Sequence, residues 1–315
     1  MPPCAKRVPS IKTIPCGRRF LLALGIAVFL LVFPNGAHRT FAADWSPLTE
    51  RLAADGFNRQ EVEALFARPE VVFEPDAMTG KIKELLRGRS AEPASLAATL
   101  RNVVRQSYLS RWVIARAQAY ALANRSILEE IRRRYSVPKE IVVSILLIET
   151  RLGQATGNRC VFNRLASMAY CTDLESIRPY LDAALLTEEN DAFLRRRCRE
   201  KADWAYDELK ALLLFADRGS TDPLGIRGSM YGAIGLCQFM PSNVFSYGVD
   251  ADRDGRIDPF SKPDALHSIA NYLKEHGWRK GLNREEQHRV IFAYNHSTVY
   301  ANTVLAIAEK IRKRI

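Results

Sequence analysis

The sequence has no C-x-x-C pair, and no histidine stands near Cys160 or Cys171. Those absences exclude the usual cysteine–histidine zinc site. No long low-complexity linker interrupts residues 44–315, and no internal repeat is visible. The apolar run 20–33 holds 14 residues, short for crossing about 30 Å of hydrocarbon. No cysteine follows that run closely, so a lipid-modified amino terminus is not expected. Residues 1–43 contain no acidic residue at all, only six basic ones.

That one-signed leader reads as a secretory signal peptide. Lys6, Arg7, Lys12, Arg18 and Arg19 form its basic region, and Thr40-Phe41-Ala42 supplies a cleavage signal near Ala42 or Ala43. Export to the periplasm is the expectation. Losing the six basic residues takes the formal charge from +11 to +5. A mild, spread-out excess suits an anionic polymer such as a cell wall. It is too weak for a nucleic-acid partner. The longest basic cluster, Arg195 to Arg197, reads as a solvated helix face. Four cysteines remain in the exported part: Cys160, Cys171, Cys198 and Cys237. Their number and compartment predict at least one disulfide. Of the three pairings, Cys160 with Cys171, which closes a short loop, is preferred.

At 47% hydrophobic and 26% charged the chain is globular, and most of it has helical periodicity. Helices are expected over 47–56 and 59–67, with an extended arm from Pro69. Long amphipathic helices are expected over 94–135, with Leu96, Leu100, Val103, Val104 and Tyr108 on one stripe. Further helices are expected at 263–276 and 284–310. Residues 219–262 differ, with five glycines between Gly219 and Gly235. They read as one irregular, close-packed segment on a helical scaffold, where binding and catalysis concentrate.

The stretch "KEIVVSILLIETRLG", 139–153, poses the functional question. Pro138 can take the first helical position and Gly153 can end the helix. Apolar residues from Ile141 to Ile148 cover nearly every face, so the helix is buried. Glu149 lies in its last turn. Desolvation and the negative end of the helix dipole would raise its pKa, and Arg151 would oppose them if it folded back. A carboxylic acid held partly neutral near pH 7 can act as a general acid. The competing reading of Glu149 alone is a salt-bridged helix end.

Three later motifs shift that balance: "GSMYGAIGLCQFMPSN" (228–243), "DADRDGRIDPFS" (250–261) and "AYNHSTVY" (293–300). Together with "ETRLG" and "SIANYLKEHGW" (268–278), in this order, they resemble the lytic murein transglycosylases of the membrane-bound B type, glycoside hydrolase family 103. The likeness covers roughly residues 44–315 and is strongest from Val137 onward. It implies a mainly α fold: a lysozyme-like α+β core with a minor β element, over 138–315, and additional N-terminal helices, over 44–137.

The implied substrate is the glycan strand of peptidoglycan. The implied reaction cleaves the β-1,4 bond between N-acetylmuramic acid (MurNAc) and N-acetylglucosamine (GlcNAc), leaving 1,6-anhydro ends with no water consumed and no catalytic cofactor. Glu149 matches the family's catalytic glutamate, as acid and then base. The resemblance further implies substrate contacts from Ser229, Gln238, Tyr294, Asn295 and Tyr300. Ser229 could equally be a turn residue, and Phe239 a sugar-stacking wall or simply core. A hydrolytic muramidase would need a second carboxylate, for which Asp173 and Asp222 are the candidates. A catalytically silent peptidoglycan-binding protein of the same fold is the rival from another class. The chain departs from the family where "AYCTDLESIRPYL" (169–181) lacks the paired arginines of many relatives and offers only Arg178. Cys237 also replaces a common glycine.

In 250–258, Asp250, Asp252 and Asp254 alternate, with Gly255 sixth, as at the start of an EF-hand loop. Arg256 would supply a backbone carbonyl, and Asp258 fits position nine. Ser261 stands at position twelve, where a bidentate glutamate is usual. A weakly held structural calcium is the expectation. The stretch before the loop, "YGVD", looks strand-like.

Overall fold

A computed structural model describes residues 43–89 and 102–313. The described residues form twelve α-helices: α1 (Ser46–Ala54), α2 (Arg59–Phe66), α3 (Asp76–Arg89), α4 (Arg111–Ala123), α5 (Arg125–Tyr135), α6 (Lys139–Thr150), α7 (Val161–Tyr170), α8 (Glu188–Arg218), α9 (Pro241–Tyr247), α10 (Lys262–Glu275), α11 (Arg284–Tyr294) and α12 (Thr298–Arg312). Their one sheet pairs β1 (Arg159–Cys160) antiparallel with β2 (Arg227–Gly228), Arg159 opposite Gly228. The leader and its cleavage signal lie outside the described residues. Among those described, no helix is long and apolar enough to cross a membrane.

The centre is α6, where Ile141 to Leu147 are all buried. Helix α12 packs along it, with α4, α5 and α10 around them. Ser144 fits this apolar run because its hydroxyl donates to Glu140 O at 2.6 Å, inside its own helix. Pro138 is the residue before the helix rather than its first, and the helix stops at Thr150, one residue sooner than the pattern suggests. Arg151, Leu152 and Gly153 then adopt left-handed conformations in succession, at φ 54°, 65° and 89°. Two non-glycine residues in that region each carry a steric penalty of about 1–2 kcal/mol. The surrounding packing must hold them there.

Several expectations change. Residues 94–101 lie outside those described. From 102 to 110 the chain is not α-helical and has only a 3₁₀ turn at Gln106–Leu109, so Val103, Val104 and Tyr108 share no helical stripe. The expected helix over 284–310 is two, because the chain breaks at 295–297. There Asn295 turns extended, and the Ser297 side chain accepts from Tyr300 N to start α12. The irregular segment 219–262 contains a short helix, α9. Its start is held by the buried Glu208 of α8, which accepts from Ser242 N at 2.9 Å and Ser242 Oγ at 2.8 Å. Helix α9 ends at Tyr247, so the Asp-rich loop follows a helix and not a strand. The Arg195–Arg197 cluster is a solvated face, with Arg195 paired to Asp191 and Arg197 to Glu200.

The four cysteines 160, 171, 198 and 237 are free thiols. The favoured Cys160–Cys171 bridge is corrected by geometry, because the two flank α7 at opposite ends. Eleven residues at helical rise separate them by about 16 Å, whereas a disulfide needs α-carbons within about 7 Å.

Helix α7 carries a fully buried cation. Arg164 Nε donates to Met230 O at 2.8 Å, and Nη1 reaches Glu74 at 2.7 Å and also pairs with Asp76. One side chain therefore fastens the arm before α3 and the glycine-rich segment to the core. Arg164→Ala should lower the unfolding free energy by about 3–5 kcal/mol, because Glu74 is left without its partner. Urea denaturation checks this, and a loss below about 1 kcal/mol would show that the triad is not a fastening.

Candidate active site

Three segments far apart in sequence meet at the end of α6. Tyr300, in the first turn of α12, donates its hydroxyl to Glu149 Oε1 at 2.6 Å. Burial pushes the Glu149 carboxyl up to about 7, while the Tyr300 hydrogen bond and the charge of Arg105 pull the other way. Burial, followed by the charge of Glu149, holds the Tyr300 hydroxyl well above its ordinary range. Tyr294, from the last turn of α11, stacks near Tyr300 with ring centres 6.4 Å apart and planes 5° from parallel. Its hydroxyl donates to Cys237 O at 2.6 Å. The break at 295–297 makes this possible, since it lets the end of one helix and the start of the next face the same carboxyl.

The glycine-rich segment is tied to α6 through backbone carbonyls. Thr150 Oγ1 lies 3.1 Å from Leu236 O and accepts from Gly153 N. Gln238 has a left-handed φ of 51°, and its Nε2 donates to Thr156 O at 3.0 Å and Gly235 O at 2.9 Å. Its Oε1 accepts no hydrogen bond among the described residues. Close approach explains two glycines here. A Cβ at Gly157 would sit 2.1 Å from Gly228 O, and one at Gly235 would sit 2.3 Å from Pro259 O. The second contact joins the site to the Asp-rich loop, where Leu236 N also donates to Pro259 O.

Several expected residues make contacts other than to the carboxyl, or none. Ser229 is engaged in its own turn, its Oγ accepting from Ala233 N at 2.9 Å. Of the two readings of Phe239, the structure gives core and not a sugar-stacking wall: it is 2% exposed and packed between Tyr272 and Tyr294. Asn295 is exposed at the helix break, and its side chain has no partner among the described residues. Arg178 is paired with Glu175, which its loop supplies. Arg151 forms no ion pair among the described residues, so it does not fold back onto Glu149. Of the candidate second carboxylates, Asp173 accepts from Ser176 N, and Asp222 is paired with Arg68. Among the described residues no carboxylate charge bears on Glu149.

The sequence reading missed Arg105, Tyr108 and Thr150. Arg105 is placed beside α12 by its backbone N–H, which donates to Thr303 Oγ1. The Tyr108 hydroxyl reaches Ile148 O at 3.5 Å. No periodic signal marks Arg105, and the helical stripe expected at Tyr108 does not form, because both lie in non-helical chain. Thr150 stood in the "ETRLG" motif, and its hydroxyl was the available clue.

In the Asp-rich loop, carboxylate oxygens of Asp250, Asp252 and Asp254 lie within 4.8 Å of one another. Asp250 Oδ1 is buried with no hydrogen-bond partner, while Oδ2 accepts from Gly255 N. Asp258 caps the chain at Phe260 N. Asp264, also missed, is 1% exposed and closes the loop by accepting from Ala251 N and Asp258 N, both at 2.8 Å.

A mainly helical fold with a two-strand ladder and one half-buried, desolvated carboxyl at the end of its central helix defines a lysozyme-like class of protein. The family model described as the transglycosylase SLT domain matches residues 40–285, and the chain belongs to that family. It is 35% identical over 147 residues to the membrane-bound lytic murein transglycosylase B of Escherichia coli, a match covering 47% of this chain and 34% of that protein. The E. coli lytic transglycosylase Slt35 in complex with bulgecin A superposes with a TM-score of 0.64 at 21% identity, over 90% of this chain and 99% of that one. Slt35 in complex with calcium gives 0.62 at 22% identity, with the same coverage. Pseudomonas aeruginosa SltB3 in complex with NAG-anhNAM-pentapeptide gives 0.59 at 23%, over 85% of this chain and 78% of that one.

The raised pKa of Glu149 has a stability signature. Burial favours the neutral form, so the folded protein is penalised as pH rises from the unfolded carboxyl's range through about 7. Glu149→Gln should therefore match the wild type in melting temperature near pH 4. It should become more stable than the wild type by about 3 kcal/mol near pH 8. Equal melting temperatures across that range would mean that the carboxyl ionises without hindrance.

Proposed function

We propose that the protein is a lytic transglycosylase acting on the MurNAc–GlcNAc bond of peptidoglycan glycan strands. The strongest support is Glu149, whose pKa of about 7 lets one group both give and take a proton near neutrality. Family membership supports the same chemistry.

Glu149 gives its proton to the glycosidic oxygen, and the C1–O4 bond breaks as GlcNAc leaves with a 4-hydroxyl. The C6 hydroxyl of the same MurNAc then attacks C1 and gives its proton to Glu149, which closes the anhydro ring and restores the acid. The attack is intramolecular, so it needs no positioned water and gains from proximity. Tyr300 steadies the carboxylate between the two steps by donating to Oε1. Gln238 Oε1 and the Asn295 amide are the neutral groups offered to N-acetyl and hydroxyl groups of the sugar. Residues 138–315 form the catalytic part and 44–137 its helical support, in a protein exported to the periplasm.

The Asp-rich loop is proposed as a structural calcium site. Asp250, Asp252 and Asp254 would hold the ion, and the unpartnered Asp250 Oδ1 fits that use. Calcium would supply positive charge that offsets the clustered carboxylates and braces the contact from Pro259 to Gly235 and Leu236. Millimolar calcium should raise the melting temperature of metal-stripped protein, and Asp254→Ala should abolish the rise. No rise in the stripped wild type would remove the site.

Digestion of purified sacculi tests the activity. Muropeptides with anhydro ends are expected, and Glu149→Gln should slow their release by about 10²–10⁴-fold or more. Reducing ends would make the protein a hydrolase, and no release by the wild type would make it a binder.

A further inference from the structure

Two buried thiols have no part in the chemistry of the carboxyl site. Cys171 and Cys198 are both fully buried. Cys198 belongs to α8, on the buried stripe that continues through Ala202, Ala205 and Leu209. Cys171 ends α7, where its backbone N–H donates to Met168 O and its thiol donates to Ser167 O at 3.1 Å. Helices α7 and α8 pack against each other. Residues 172–187 connect them, with two 3₁₀ turns, Arg178–Tyr180 and Ala183–Leu185, and no α-helix.

Ion pairs fix how this connection lies on α8. Arg178 Nη2 meets Asp191 Oδ1 at 3.7 Å, and Glu175 Oε1 meets Arg195 Nη2 at 2.9 Å. Followed back towards α7, the connection therefore meets positions further along α8. Asp191, Arg195 and Cys198 are spaced i, i+4 and i+7, so they form one row down the helix. Continuing the register past Glu175 brings Cys171 to the next member of that row, Cys198. Electrostatics point the same way. Burial pushes both thiols up, Cys198 to about 12. The neighbouring Cys198 adds to the rise at Cys171, and the charge of Asp173 adds to it at both. The other two cysteines lie elsewhere, Cys160 at the far end of α7 against Leu224 O and Cys237 under Tyr294.

We propose that Cys171 and Cys198 join as a disulfide when the chain folds in an oxidising compartment, an inference that rests on the export proposed above. The bond forms by exchange with an oxidised dithiol carrier. Both S–H bonds break, the two sulfurs join, and two protons and two electrons pass to the carrier, whose own disulfide becomes two thiols. Buried thiols are shielded from such a carrier, so the exchange takes place before the interface between α7 and α8 closes. The bond constrains the unfolded chain by closing the loop 171–198. It also clamps a connection whose ion pairs are exposed and contribute little alone.

Refolding tests the pairing without relying on export. Reduced, denatured protein is refolded in a glutathione redox buffer, free thiols are blocked with N-ethylmaleimide, and peptides are mapped without reduction. The Cys171 and Cys198 peptides should be joined, with Cys160 and Cys237 blocked. The oxidised wild type should melt roughly 5–10 °C above its reduced form. Cys171→Ala should show no difference between the two conditions, whereas loss of buried packing alone would lower both equally. Blocked Cys171 and Cys198 after refolding, or a bridge from either to Cys160 or Cys237, overturns the inference. Protein taken from cells with its thiols trapped should carry the same bond. A bond found only after refolding upholds the pairing and counts against the export.

Discussion

The structure is organised around one carboxyl drawn partly out of water at the end of an apolar helix. Burying an ionisable group in this way is unfavourable unless the group stays neutral or finds a partner. Glu149 does some of each. Desolvation raises its pKa to about 7, and the hydroxyl of Tyr300 limits the rise. Near neutrality neither protonation state dominates, which is the condition for a group that must act as acid and as base in one turnover.

The helices achieve this by stopping. Helix α6 ends one residue after Glu149, in a run of left-handed residues that leads the chain into the loop 153–158. Helices α11 and α12 part at 295–297, so that the rings of Tyr294 and Tyr300 come to lie 6.4 Å apart. Had residues 284–310 formed one helix, six residues of separation would have set those tyrosines about 120° apart around the axis, on different faces. The glycine-rich segment lies close against 153–158 because Gly157 admits Gly228 O where a side chain would collide. Buried polar side chains secure these irregular parts: Arg164 for Met230, Thr150 near Leu236, Glu208 for Ser242 and Asp264 for the Asp-rich loop.

Much of this was legible in the sequence where the physics is local. The apolar run 141–148 announces a buried helix, and an acid at its end announces a shifted pKa. The alternating aspartates announce a tight loop with converging oxygens. Residues whose role depends on distant contacts were less legible. Arg105 acts on Glu149 across 44 positions of sequence without belonging to any periodic pattern. Phe239 sits in a sugar-site motif, yet packing between Tyr272 and Tyr294 makes it core. The helix break at Asn295 has no proline or glycine to mark it, only an Asn-His-Ser run whose serine caps the next helix. The expected Cys160–Cys171 bridge failed for a related reason: the short loop between them is a helix, which holds its ends apart.

The central claim is that Glu149 shares its proton near neutrality because burial and Tyr300 act against each other. Carbon-13 NMR titration of the Glu149 carboxyl, in wild type and in Tyr300→Phe, measures that balance directly. The wild-type carboxyl should titrate at about 7. Removing a hydrogen bond that favours the charged form should move it higher in the variant. A carboxyl that titrates near the ordinary glutamate value of about 4.3, or one that ignores the loss of the Tyr300 hydroxyl, would contradict the account.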